Sequence, residues 1–132
     1  MRPAVILIAA LALLLAACGG AGAPSPSRSP TAIPGAVLVT RANDRGTVHA
    51  RVGDRIQIAL GADYEWRLDP PDGVVLTRGV QNELLVRGTQ AVWTASAPGT
   101  ATIKATGTVI CPSGQACILI ALLFETTVVV SR

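Results

Sequence analysis

Histidine occurs once in this chain of 132 residues, at His49, and lysine once, at Lys104. His49 lies in Thr47-Val48-His49-Ala50-Arg51 with neither a nucleophile nor a carboxylate beside it, so it reads as a strand-surface residue and not as a general base. No Gly-x-Ser-x-Gly turn and no glycine-rich phosphate loop is present. Nothing is left to carry catalytic roles, so the chain is expected to be no enzyme and to hold no cofactor. Cationic charge is scarce as well. Without residues 1–17, which hold Arg2, ten basic side chains face eight acidic ones, a formal +2 and no footprint for nucleic acid. From Gly88 onward, Lys104, Glu125 and Arg132 are the ionisable residues apart from cysteines and the terminus. The C-terminal half is apolar and threonine-rich.

What is present starts with Met1-Arg2-Pro3, then residues 4–17 without a polar side chain, then Cys18. One basic residue, a short apolar run and small residues before a cut is the design of a secretory signal. The run is shorter than the roughly twenty residues a membrane-spanning helix needs. Leu15-Ala16-Ala17-Cys18 resembles the lipobox of bacterial lipoproteins. The resemblance implies diacylglyceryl transfer to the Cys18 thiol and cleavage of residues 1–17, leaving Cys18 as the first residue. Two or more acyl chains, at about 0.8 kcal/mol per buried methylene, would hold the protein durably on a membrane. It would face the outer side of the cytoplasmic membrane, or sit on an outer membrane where the cell has one. Gly19 stands where Gram-negative lipoproteins retained at the inner membrane carry Asp.

Residues 19–35 include Pro24, Pro26, Pro30 and Pro34 among glycines and serines, with Ile33 the one large apolar residue. Such a segment buries too little apolar surface to offset its ordering entropy and reads as a flexible tether over residues 18–35. Extended at about 3.1 Å per residue it would reach on the order of 50 Å, and as a coil roughly 20–25 Å.

Residues 36–132 carry period-two patterning. Ile56, Ile58 and Leu60 alternate with Arg55, Gln57 and Ala59, and Ala101, Ile103 and Ala105 with Thr102, Lys104 and Thr106. Further β-rich runs cover 36–40, 47–52, 64–68, 74–77, 84–87, 91–95 and 126–130. They are punctuated by Asn43-Asp44-Arg45-Gly46, Gly53-Asp54, Asp69-Pro70-Pro71-Asp72-Gly73, Ala97-Pro98-Gly99 and Pro112-Ser113-Gly114. Short strands at this spacing predict one all-β domain, an immunoglobulin-like antiparallel sandwich. Cys111 and Cys117 are an even pair in an exported chain once Cys18 is lipidated, which predicts a disulfide across the Pro112-Ser113-Gly114 turn. A metal site there would lack further ligands, since His49 is far off in sequence.

Val52-Gly53-Asp54-Arg55-Ile56-Gln57-Ile58-Ala59-Leu60 followed by Tyr64-Glu65-Trp66, Ala97-Pro98-Gly99-Thr100-Ala101-Thr102-Ile103-Lys104-Ala105, and a closing Thr127-Val128-Val129-Val130 resemble the framework of chagasin-like inhibitors of papain-type cysteine proteases. The resemblance spans about residues 47–130 and implies an immunoglobulin-like sandwich. The family's loop motifs are replaced: Gly61-Ala62-Asp63-Tyr64-Glu65 stands for its Asn-Pro-Thr-Thr-Gly loop, Gly88-Thr89-Gln90 for its glycine-rich loop, and Cys111-Pro112-Ser113-Gly114 for its Arg-Pro-Trp loop. The late cysteine hairpin is similar to that of secreted immunoglobulin-like domains of actinobacteria.

Among single residues, Trp66 is expected in the core on one strand face with Tyr64 and Leu68, and Trp93 in the core with Ala91 and Ala95. Asp69 and Asp72 flank two prolines and a glycine and read as a rigid turn, since calcium needs six or more oxygens from a denser cluster. Residues 118–124 are seven consecutive apolar residues. They are either a strand covered on both faces or an exposed flank of the kind that marks a partner or membrane contact. Leu119, Leu122 and Leu123 are the candidate interaction surface. The sequence thus predicts a membrane-anchored binding domain with an envelope protein as a possible partner, or alternatively a diverged protease inhibitor.

Overall fold

The computed structural model describes residues 30–79 and 86–132. The leader, the lipobox cysteine Cys18 and most of the tether lie outside the described residues, as do residues 84 and 85 of one expected strand. Among these residues eight strands form: β1 (Ala36–Val39), β2 (Thr47–Arg51), β3 (Arg55–Ile58), β4 (Tyr64–Leu68), β5 (Leu76–Arg78), β6 (Ala91–Ala95), β7 (Gly99–Val109) and β8 (Ala121–Ser131). They build two four-stranded sheets, in the orders β1-β3-β6-β5 and β2-β8-β7-β4. Setting β2 aside leaves β1-β3-β6-β5 facing β4-β7-β8, the strand arrangement of a seven-stranded immunoglobulin sandwich.

The sandwich is as expected from the patterning, but its sheets are mixed. β1 pairs with β3 in parallel, and β2 with β8 in parallel; the remaining pairs are antiparallel. The cause is the first stretch of chain, which serves both sheets. After β1 a 3-10 turn (Arg41–Asn43) forms, with the Thr40 side chain accepting from the Ala42 N–H and the Asn43 side chain accepting from the Thr40 N–H. The chain then reverses through Arg45, whose φ of 56° is left-handed, and enters the second sheet as β2. Two short segments thereby cover one edge of each sheet.

Alternation decides which side chains meet between the sheets. β3 contributes Ile56 and Ile58, β6 contributes Ala91, Trp93 and Ala95, and β7 contributes Ala101, Ile103 and Ala105. From β8 come Phe124, Val128 and Val130, with Leu76, Val48, Ala50 and Val39 completing the core. Trp93 is core, as its strand pattern implied. Trp66 is half-buried and packs against the core edge, and His49 is exposed on the outer face of β2. Asp72 does fix a turn: its Oδ1 accepts from the N–H groups of Val74, Val75 and Leu76 at 2.7, 2.8 and 3.0 Å.

Two sequence readings change. Gln57, on the polar side of the β3 alternation, is fully buried because residues 31–33 lie over that face. The expected tether boundary at Gly35 falls inside hydrogen-bonded structure. Gln57 Oε1 accepts from the Ile33 N–H at 2.7 Å, its Nε2 donates to the Thr31 carbonyl at 2.9 Å, and Arg55 donates to the Pro34 carbonyl at 2.9 Å.

Candidate binding site at the loop end of the sandwich

The register brings three connections to one end of the domain. β3 ends at Ile58, opposite Ala91, where β6 begins; β4 begins at Tyr64, opposite Val109, where β7 ends. The β3–β4 loop (59–63), the end of the β5–β6 connection (86–90) and the β7–β8 hairpin (110–120) therefore share that end. The opposite end carries the β2–β3 turn, the β4–β5 loop and the β6–β7 turn, linked through Gly53 N–H to the Ala95 carbonyl and Ser96 N–H to the Val75 carbonyl.

The first two loops are fastened to each other. Gln90 Oε1 accepts from the Leu60 N–H, and its Nε2 donates to the Gly61 carbonyl, both at 2.6 Å. The Gly61 N–H reaches the Gly88 carbonyl at 3.1 Å. Both glycines have positive φ, 98° and 85°, which an L side chain rarely adopts. Gln57 adds a further brace, donating to Thr89 Oγ1 at 2.8 Å in the same buried layer. Gln57 thus links residues 31–33 to Thr89, and Gln90 holds the β3–β4 loop at Leu60 and Gly61, so these two side chains set loop positions. The sequence reading missed both, because their partners lie 24 to 32 residues away in the chain and leave no local signal.

Arg41, from the 3-10 turn, stands beside the β3–β4 loop. Its guanidinium is 3.0 Å from Asp63 and lies 5.6 Å from the Tyr64 ring centroid, while Tyr64 meets Trp66 edge-on at 5.9 Å between centroids. The ion pair is half-exposed, so its contribution to stability is small, about 0–1 kcal/mol. Its consequence is positional, since it fixes a planar cation over the one tyrosine.

The hairpin is closed by the Cys111–Cys117 disulfide, with 6.0 Å between the Cα atoms. Of the eight large hydrophobic residues exposed among the described ones, six lie on this hairpin and its stems: Val109, Ile110, Ile118, Leu119, Ile120 and Leu123. The three candidate leucines are placed differently. Leu119 is 98% exposed on the strand side of the disulfide, just before β8, and Leu123 is 79% exposed on the outer face of β8. Leu122 is half-buried on the inner face, in register with Gly107, which in turn faces Trp66.

A cavity of about 750 Å³ lies between the N-terminal segment and the braced loops, lined by Pro30, Thr31, Gly61, Ala62, Val86, Arg87 and Gly88. A second, of about 520 Å³, is a side cleft that includes Asp44, Asp69, Lys104 and Glu125. Among the described residues no group of histidine, cysteine or carboxylate side chains is gathered to hold a metal ion.

No family model matches the chain, and no curated protein matches it. Among solved structures it is similar to the cysteine protease inhibitor EhICP2 from Entamoeba histolytica. The two share 19% identity over 71% of this chain and 93% of that one, with a TM-score of 0.51. Amebosin, known from a solution structure, aligns over 73% of this chain and 98% of its own at 20% identity and a TM-score of 0.44. At such identity the first likeness bears on architecture: the two chains share the sandwich.

Proposed function

We propose that the chain is a lipid-anchored binding domain of a bacterial envelope, attached through Cys18, whose loop end engages a protein. The partner class favoured is a papain-type cysteine protease, blocked without being cleaved. The observation that carries this reading is the convergence of three loops from both sheets at one end, two of them braced by Gln57 and Gln90 and the third closed by a disulfide. A surface whose loops are fixed before contact loses little entropy on binding, which suits occlusion of a cleft. A structure of the same architecture is named as a cysteine protease inhibitor, which supports the choice of partner. The departures in loop sequence mean that contacts would come from this chain's own residues, Asp63 of the first loop with Tyr64 at the start of β4, and Ile118 and Leu119 in the third loop.

The test is a titration of the full chain in detergent micelles against papain turning over a peptide substrate. Competitive inhibition, with KM raised and kcat unchanged, is the expected result. An unchanged KM at a large excess of the chain removes the protease and leaves a binding domain with another partner.

A further inference from the structure

The described chain begins at Pro30, and Pro30 and Thr31 line the same cavity as Gly61, Ala62 and Gly88. The N-terminal segment therefore enters the domain at the loop end, where Gln57 holds the Thr31 carbonyl and the Ile33 N–H. The segment then turns at Gly35, with the Ala36 N–H on the Ile33 carbonyl, and β1 runs back toward the same end, pairing Val39 with Ile58. An anchor upstream of Pro30 thus pulls on the loop end and not on the far end.

Twelve residue steps separate Cys18 from Pro30. They span at most about 40 Å, with a root-mean-square span near 20 Å for a coil. β7 alone, at eleven residues, is about 36 Å long and measures the height of the domain. With the loop end turned away from the bilayer, Pro30 would stand about one domain height above the anchor, which demands a nearly straight connection and forfeits most of its conformations. With the loop end turned toward the bilayer, the connection keeps its slack. Chain entropy favours the second orientation.

The end so placed carries the apolar hairpin. Ile110, Ile118, Leu119 and Ile120 are all at least half exposed there. Between Lys104 and Glu125 the chain holds no charged side chain, so no charge has to leave water when the hairpin meets lipid. The disulfide limits what the hairpin loses in freedom.

We propose that the β7–β8 hairpin docks on the bilayer that holds the chain's own lipid anchor, with Ile110, Ile118, Leu119 and Ile120 entering the interfacial region. This inference rests on the lipidation of Cys18 and is independent of which protein the loops bind.

Leu119→Trp places a reporter in the apolar part of the hairpin, where 98% exposure leaves room for it, and Val74→Trp places one at the far end of the domain, at 68% exposure. Each full chain is made in a bacterial host, reconstituted into phosphatidylcholine–phosphatidylglycerol vesicles with acyl-chain-brominated lipid, and recovered by flotation. Docking is read as a blue shift and loss of the added emission for Leu119→Trp, with neither for Val74→Trp. Flotation with unquenched, water-like emission from Leu119→Trp overturns the docking while leaving the anchor intact. Equal quenching of both reporters shows a domain without preferred orientation and overturns it too. A chain that does not float has no anchor, and the docking falls together with the lipidation. Inhibition of papain by the chain in micelles is a separate readout that none of these outcomes decides.

Discussion

The six-membered ring of Trp66 occupies the place of a side chain at Gly107 on the neighbouring strand. A Cβ built at Gly107 would stand 2.8 Å from Cζ3, 2.9 Å from Cε3 and 3.0 Å from Cη2 of that ring. The two residues are register partners on the inner face, with Leu122 next in the same row. Glycine in a strand is otherwise unfavourable, and here it makes room for the aromatic ring. The row closes the core just below the loop end, which is why a half-buried tryptophan bears on the site above it.

Gly107→Ala is accordingly expected to destabilise the domain by roughly 1–3 kcal/mol, as an overpacked site does. Trp66→Leu alone removes buried aromatic surface and should also cost stability. In the double variant the ring that clashes with the new methyl is gone, so the losses should not add, with a coupling of about 0.5–3 kcal/mol. Urea unfolding of the four proteins measures it. Additive losses would show that the ring can move aside freely.

Gln57→Leu tests whether the N-terminal segment is held by that one side chain. The substitution keeps the volume but leaves the Ile33 N–H, the Thr31 carbonyl and the Thr89 hydroxyl without the partners they have now. A loss of roughly 1–3 kcal/mol is expected, chiefly from the buried Thr89 hydroxyl left unsatisfied. Hydrogen exchange at the Ile33 amide should accelerate toward the rate of an open chain, while the amides of β7 and β8 accelerate by no more than the global loss of stability allows. Unchanged protection at Ile33 would mean that Arg55 and the turn at Gly35 suffice to seat the segment.

Much of the fold was legible because the apolar residues of β3, β6 and β7 alternate strictly and the turns carry Gly, Pro and Asp where the chain reverses. The strand pairing was not legible to the same degree. The break between the runs at 36–40 and 47–52 was marked by Asn43-Asp44-Arg45-Gly46, but nothing in hydrophobic period told that the first run joins one sheet and the second the other. Gln57 shows the limit of alternation itself: it sits at a polar position of the pattern and is buried because a segment remote by 24 residues covers it. The loop end was legible only in part. The cysteine pair announced the hairpin, but the braces through Gln57 and Gln90 are long-range hydrogen bonds, and a sequence records those only as two unremarkable glutamines.

The proposed anchor makes its own prediction. Intact mass of the membrane-extracted protein is expected to start at Cys18 and to carry diacylglyceryl. Cys18→Ala should leave an unlipidated chain, either released in soluble form or stalled as the uncut precursor. A soluble, unmodified wild-type chain beginning at another residue would remove the anchor, and with it the orientation argued for the loop end.

The run of seven apolar residues at 118–124 separates by face, and three lysine substitutions can read that separation. Leu119 just before β8 and Leu123 on the outer face of β8 are in contact with water along most of their surface. Lysine there keeps its ammonium in solvent and its stem along the surface, so each change should alter stability by no more than about 0.5 kcal/mol. Leu122 points inward beside Gly107, and its inner neighbour on the strand face, Phe124, is 3% exposed. A lysine at 122 must either bury a charge or swing out past the row that Trp66 closes, and a loss of roughly 1–3 kcal/mol is expected from the lost apolar burial alone. Thermal unfolding of the three variants decides it. Equal, small shifts for all three would mean that Leu122 is as free as its neighbours and that the inner row ends at Phe124. Large losses for all three would mean that the outer face of β8 is covered, leaving no apolar surface there to offer to lipid or to a protein.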